Sequence, residues 1–172
     1  MADRLEFSDG TVWVFASSPA DPDRDPVVID MRIPDGAQAP PPHYHPNGQR
    51  ETFEVLDGSF EMKLEREWET VEKGETAFVE PGVVHTFRNK SGGEVVIRNV
   101  HTPAYSFERY MRRIHAFAME RGVERLTPVG ILAMARLWSE HPDTQRAGTL
   151  PLRIAMPALA AIAKATRVNV PG

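Results

Sequence analysis

The sequence predicts a mainly-β domain, a barrel or sandwich of short antiparallel strands, followed by a helical extension. Three observations carry that prediction. From Arg4 to about Val100 apolar residues recur with a period of two in short runs, as where Phe60, Met62 and Leu64 alternate with Glu61, Lys63 and Glu65. Turn residues punctuate these runs at short intervals: Asp9-Gly10, Asp57-Gly58, Lys73-Gly74, Pro81-Gly82 and Ser91-Gly92-Gly93. After Pro103 the apolar period lengthens to three and four. The expected division is a β-barrel over residues 1–103 and a helical extension over 104–172 that is not an independent domain, since about 65 residues make a marginal core of their own.

In chain order, Leu5–Phe7 and Thr11–Phe15 flank Asp9-Gly10 and read as a hairpin. Ser18 to Pro26 is a loop by composition, and Val27–Ile33 is a strand with Ile29, Met31 and Ile33 on one face. Three prolines, Pro40, Pro41 and Pro42, stiffen the approach to His43. Strands are expected over Phe60–Leu64, Glu69–Glu72, Thr76–Val79, Val84–Arg88 and Glu94–Val100. Phe107, Tyr110, Met111, Ile114, Phe117 and Ala118 form the apolar stripe of an amphipathic helix that stops near Gly122. Thr127-Pro128 opens a second helix, as an N-cap followed by proline, running to about Ser139. A third helical region after Thr149 is expected to break at Pro157 and resume to about Arg167.

Composition narrows the function classes. The chain has 172 residues, a formal charge of −4 and no cysteine, so neither a disulfide framework nor a thiolate ligand is available. Residues 1–103 carry 19 acidic and 10 basic side chains, whereas 104–172 carry 5 and 10, so a basic extension is expected to pack against an acidic barrel, its own or a partner's. No nucleic-acid partner is indicated. The start is charged from its third residue, and Ile154 to Ala163 is too short to span a bilayer, so a cytoplasmic protein is expected.

The chemistry concentrates in His43-Tyr44-His45-Pro46-Asn47-Gly48-Gln49-Arg50-Glu51. Two histidines one residue apart share a strand face. If the segments around His43 and Glu51 pair, two imidazoles and a carboxylate converge, and His85 offers a third imidazole. Three nitrogens and an oxygen aimed at one point suit a divalent transition metal. The pleat supports this site: Phe53 and Val55 share the face of Glu51, and Phe87 shares that of His85.

These residues resemble a known family. Gly36, His43, His45, Glu51 and Gly58 look like the first cupin motif, and Gly74, Pro81, Gly82, His85 and Asn89 look like the second. The sequence departs in two places: Pro81 directly precedes Gly82, and the His45–Glu51 gap is one residue longer than usual. Glu54 is the fallback carboxylate, but it falls on the outward face. The resemblance covers about residues 27–100. It implies a double-stranded β-helix, or jelly roll; the helices lie outside it, and their apolar stripe and the short link after the last strand lead us to expect them packed on the barrel. It also implies one divalent ion (iron, nickel, manganese, copper or zinc) held by His43, His45, Glu51 and His85, with two open positions for a ligand.

Gln49 and Asn89 are candidates to hold the imidazoles from behind, with Asn89 equally readable as a turn residue. His101, His115 and His141 have no partners in the sequence and are not expected to be ligands. The Arg109, Arg112, Arg113 cluster reads as a solvated or subunit-facing helix side, and Trp13, Trp68 and Trp138 as packing residues. The expected function is oxygenase-type chemistry on a small organic molecule, as in cupins that resemble quercetin dioxygenase, with Glu51 as a possible catalytic base. The alternatives are a Lewis-acid isomerase or lyase, or a non-catalytic small-molecule binding protein. A homodimer is expected, because sheet edges in small barrels are commonly covered by a partner.

Overall fold

The computed structural model describes residues 3–37, 39–121, 127–168 and 170. Among the described residues, eleven strands and three helices form in the order β1 (Arg4–Glu6), β2 (Val12–Ser17), β3 (Val27–Ile33), β4 (His43–Tyr44), β5 (Arg50–Asp57), β6 (Ser59–Leu64), β7 (Glu67–Glu72), β8 (Thr76–Val79), β9 (His85–Arg88), β10 (Val95–Thr102), α1 (Phe107–Arg121), α2 (Pro128–Glu140), β11 (Arg146–Ala147) and α3 (Leu150–Ala165). The strands make two antiparallel sheets, β1-β2-β3-β10-β5-β8 and β11-β4-β9-β6-β7. This is the jelly-roll arrangement the sequence predicts.

The period-two pattern is what closes the barrel. Ile29 and Met31 of β3, Phe53 and Val55 of β5, Phe60 and Met62 of β6 and Ile97 of β10 are all buried between the sheets. Their alternating neighbours face outward, so each strand contributes one face only. Asp57-Gly58 marks the corner where the chain leaves one sheet for the other. Gly58 has φ +77, and a Cβ there would lie 2.9 Å from the Glu94 carbonyl oxygen, so both conformation and space demand glycine.

The extension begins as expected. Helix α1 buries Phe107, Tyr110, Met111 and Phe117, while its expected stop near Gly122 lies outside the described residues. Thr127 caps α2, its Oγ1 accepting from the Gly130 N–H at 3.0 Å. Tyr110 ties the extension together, its hydroxyl accepting from Trp138 Nε1 and Gln145 Nε2, each at 2.6 Å.

Two readings of the extension need correction, and one element was missed. Helix α3 is continuous through Pro157 rather than broken there. Pro157 lies on the exposed face, where a backbone carbonyl that loses its partner to the proline can be hydrated, while the opposite face packs against α2. The arginine cluster is a solvated side only at Arg109, which is exposed: Arg113 is buried against Glu140 (2.8 Å) and His141, and Arg112 pairs with Glu108 and lies over the Phe15 ring. Strand β11 was not anticipated at all. Among the described residues no helix is long and apolar enough to cross a membrane.

Candidate metal centre

Strand β4, the loop after it, and strands β5 and β9 bring the four predicted residues together. His43 pairs in register with His85 across β4 and β9. The strand itself spans only His43–Tyr44, yet His45 just beyond it still points inward and is 1% exposed. One ligand atom from each of His43, His45, Glu51 and His85 falls within 4.8 Å of the others. Donors at ~2.1 Å from a common ion would stand ~3 to ~4 Å apart, so a spread of up to 4.8 Å calls for a slight closure of the side chains onto an ion. Glu54 is exposed on the other face of β5, as the pleat requires.

The orientation of the rings follows from their second nitrogens. His43 Nδ1 donates to the Pro41 carbonyl at 2.9 Å, His45 Nδ1 to the Thr144 carbonyl at 2.6 Å, and His85 Nδ1 to the Val83 carbonyl at 3.1 Å. With each Nδ1 committed as a donor, each neutral ring carries its lone pair on Nε2. Those of His45 and His85 lie 2.9 Å from Glu51 Oε2. His85 Nε2 is buried and has no hydrogen-bond partner. A lone pair aimed at a carboxylate oxygen in a dry interior is unfavourable unless a proton or a cation lies between. The donor set therefore fits a divalent ion on chemical grounds.

The backbone, and not the two amides expected, holds the rings from behind. Asn89 donates to the Ile33 and Gly93 carbonyls and organises the turn around Ser91. Gln49 lies beside His45 but donates to the carbonyls of Pro103 and Ala104, tying the loop after β4 to the start of the extension.

One residue at the centre was set aside by the sequence reading. His101, wholly buried on β10 opposite Glu51, brings Nε2 to 3.1 Å from Glu51 Oε1 and stacks on Phe107 of α1 at 3.6 Å. Asn99, two residues earlier on the same face, donates to Oε1 at 2.9 Å. Glu51 is thus held by one oxygen on the β10 side and presents the other to His45 and His85. The signal that could have found His101 is the alternation Val95, Ile97, Asn99, His101, carried one residue past the expected strand end at Val100. His115 and His141 lie elsewhere, as expected: His115 faces the Glu6 carbonyl, and His141 bridges Arg113 and Ser106.

The electrostatics favour a proton on His45 over one on His43 or His101. Burial, joined by His85 and His45, keeps His43 well below the ordinary imidazole range. Burial likewise lowers His101, and Glu51 offsets this only in part. For His45 burial is outweighed by the charge and hydrogen bond of Glu51, and its affinity for a proton rises. Burial would raise Glu51, but His101 and His45 prevail and hold its carboxyl well below the usual range. These directions favour an anionic Glu51 beside a His45 that takes a proton more readily than His43 or His101, and a cation bound there would compete with that proton.

Below these four residues the interior turns apolar. Phe53, Phe60 and Phe87 meet with ring centroids 5.4–6.1 Å apart. A separate polar pocket on the extension, lined by residues including Ser106, Arg109, Glu140 and Asp143, contains none of the four candidate ligands.

Comparison with known proteins agrees with this geometry. The family model described as a cupin domain matches residues 29–101. The barrel is a cupin domain. The match ends before α1, so the helices lie outside it. An uncharacterised protein of Aquifex aeolicus is 39% identical over 64 residues, which is 37% of this chain and 51% of the relative; the chain spans about half the length of that curated relative. Among solved structures, KdgF from Halomonas sp. superposes with a TM-score of 0.50 at 17% identity, covering 59% of this chain and 87% of that one. A predicted oxalate decarboxylase from Thermotoga maritima gives 0.50 at 16% identity, over 58% and 89%. At these identities the likeness is one of fold.

Proposed function

We propose that this chain is a metal-dependent cupin that binds a small oxygen-bearing organic molecule and supports oxygenase-type chemistry on it, with His43, His45, Glu51 and His85 as the metal ligands. The observation that carries the reading is the orientation of three imidazoles, each fixed by a backbone carbonyl, around Glu51. A divalent transition ion held there would supply Lewis acidity and, for iron, nickel, copper or manganese, redox capacity.

The chain's own residues set what surrounds that ion. Asn99 and His101 anchor Glu51 Oε1, which leaves Oε2 for the metal. The strongly lowered proton affinity of Glu51 supports the role of anionic ligand over that of catalytic base. Phe53, Phe60 and Phe87 exclude water from the far side. The substrate class suited to this setting is an enol or diketone, which offers one or two oxygens and an apolar body.

One observation favours a second reading, a structural or ligand-fixing metal without turnover: the most exposed of the four candidate ligands, His43, is only 6% exposed. Elemental analysis of protein purified without added metal, followed by dioxygen-uptake assays with a diketone, separates the two. Iron, nickel, copper or manganese with substrate-dependent dioxygen uptake is the expected result. Zinc with no uptake would support the second reading. We also propose a homodimer, since β1 and β8 are sheet edges and Phe78 on β8 is largely exposed. Sedimentation as a monomer at micromolar concentration would refute it.

A further inference from the structure

We infer that the segment Thr144–Gly148 of the extension is a positioning strap for the metal centre, so that the barrel alone does not make the full-affinity site. The inference rests on the metal reading above. Four contacts place the strap on the ligand strand. The Thr144 carbonyl accepts from His45 Nδ1 at 2.6 Å, across 99 residues of sequence. Strand β11 pairs with β4, setting Ala147 opposite His43 and Arg146 opposite Tyr44. The Gly148 N–H donates to the Pro42 carbonyl at 2.8 Å. Arg153 of α3 donates from Nε to the Ala147 carbonyl at 2.9 Å and lies over the ring of Tyr44, the residue between the two histidines.

The physical consequence is specific to His45. The carbonyls that orient His43 and His85 come from residues two positions away in the chain, Pro41 and Val83, and travel with their rings. The carbonyl that orients His45 comes from a different part of the chain and is in place only when the strap is docked. A lost orienting partner weakens metal binding about 10- to 100-fold. On the other flank β4 pairs with β9, which carries His85, so β4 is held between a ligand strand and the strap.

Gly148 offers a way to move the strap without touching a ligand. A Cβ there would lie 2.6 Å from Val84 Cγ1 and 2.9 Å from both the carbonyl carbon and the oxygen of Pro42, so the substitution Gly148→Ala forces the strap outward. Arg153→Ala is the milder second variant, since Arg153 is exposed on α3.

The test is Co2+ titration of the full-length chain, followed by its visible absorption bands, with 15N chemical shifts of the histidine rings in the metal-free protein. The wild type is expected to bind one Co2+ per chain, and its His45 to show a protonated Nδ1. Gly148→Ala is expected to bind at least about tenfold more weakly, with altered bands and an altered His45 ring signal. Arg153→Ala should shift the same readouts in the same direction by less, and it decides alone if Gly148→Ala does not fold. Wild-type affinity and spectrum in the folded variants, even with a lowered melting temperature, would overturn the strap and leave the metal site standing. A wild type that binds no Co2+ would overturn the metal reading and the strap with it.

Discussion

The two ends of the barrel interior are built from the same strands and behave in opposite ways. Strand β5 carries Glu51 at one end and Phe53 at the other; β9 carries His85 and then Phe87. One pleat step separates an end that needs partners from an end that needs none. The aromatic end satisfies itself by contact among Phe53, Phe60 and Phe87. The imidazole end leaves His85 Nε2 and His101 Nδ1 buried without hydrogen-bond partners and draws on main-chain carbonyls for the rest. The lesson is that the aromatic end holds the fold and the imidazole end is the part that can be altered without losing it.

The sharpest way to break that division is Phe53→Ala. Phe53 is wholly buried, and truncating a core phenylalanine costs about 3–5 kcal/mol. For a chain of this size the expected drop in melting temperature is roughly 10 °C or more. Metal stoichiometry at 25 °C should persist, and loss of metal in folded protein would show the two ends to be coupled. Next in size is His85→Ala, or His45→Ala. Either should weaken metal binding by more than about 100-fold, beyond the effect of losing an orienting partner, and circular dichroism should still report the barrel. Full metal content in both would remove the site assignment.

A pH series sharpens the comparison from the other side. His43 and His101 are lowered by burial, so below about pH 6.5 the unfolded chain binds more protons than the folded one and stability falls with acidification. His45 is raised and works oppositely: its contribution is present below about pH 6.5 and fades as pH rises through its folded value. With His141, also lowered first of all by burial, three lowered histidines stand against one raised, a net loss of stability toward acid. The metal-free protein should melt lower at pH 5.5 than at pH 7.5, and the reverse order would contradict the assigned directions. The smallest expected effect is that of Glu54→Gln, on the exposed face of β5: wild-type metal content and melting within about 0.5 kcal/mol. A loss of metal there would shift the carboxylate ligand away from Glu51.

Much of this was legible because strands announce themselves by alternation. The inward faces of β3, β5 and β6 follow from period two and turn chemistry, whereas the grouping of His43, His45, Glu51 and His85 rested on the cupin resemblance: β4 and β5 lie in different sheets and do not pair as the sequence reading supposed. What escaped depends on contacts far apart in sequence. His101 lay one residue beyond the expected end of its strand at Val100, and only pairing with β5 carries that strand on to Thr102. Strand β11 is two residues long, set between helices, and no local pattern marks it. Pro157 interrupts a helix by local rules, but packing of the opposite face of α3 against α2 keeps it whole. Gln49 and Asn89 were expected behind the imidazoles because side chains are visible in a sequence, whereas main-chain carbonyls are everywhere in it and so single out nothing.

That last point bears on how the centre can vary. The groups that orient its rings belong to Pro41, Val83 and Thr144, yet none of them is a side-chain atom. An alanine scan across those three positions deletes no acceptor. Related sequences are free to drift there while keeping the same geometry. Selection on ring orientation must act instead on whatever fixes the path of the backbone, at positions such as Gly148 where the tolerance is steric. The heritable specification of the site is therefore split between a few conspicuous ligands and a scatter of small residues that no ligand motif would contain.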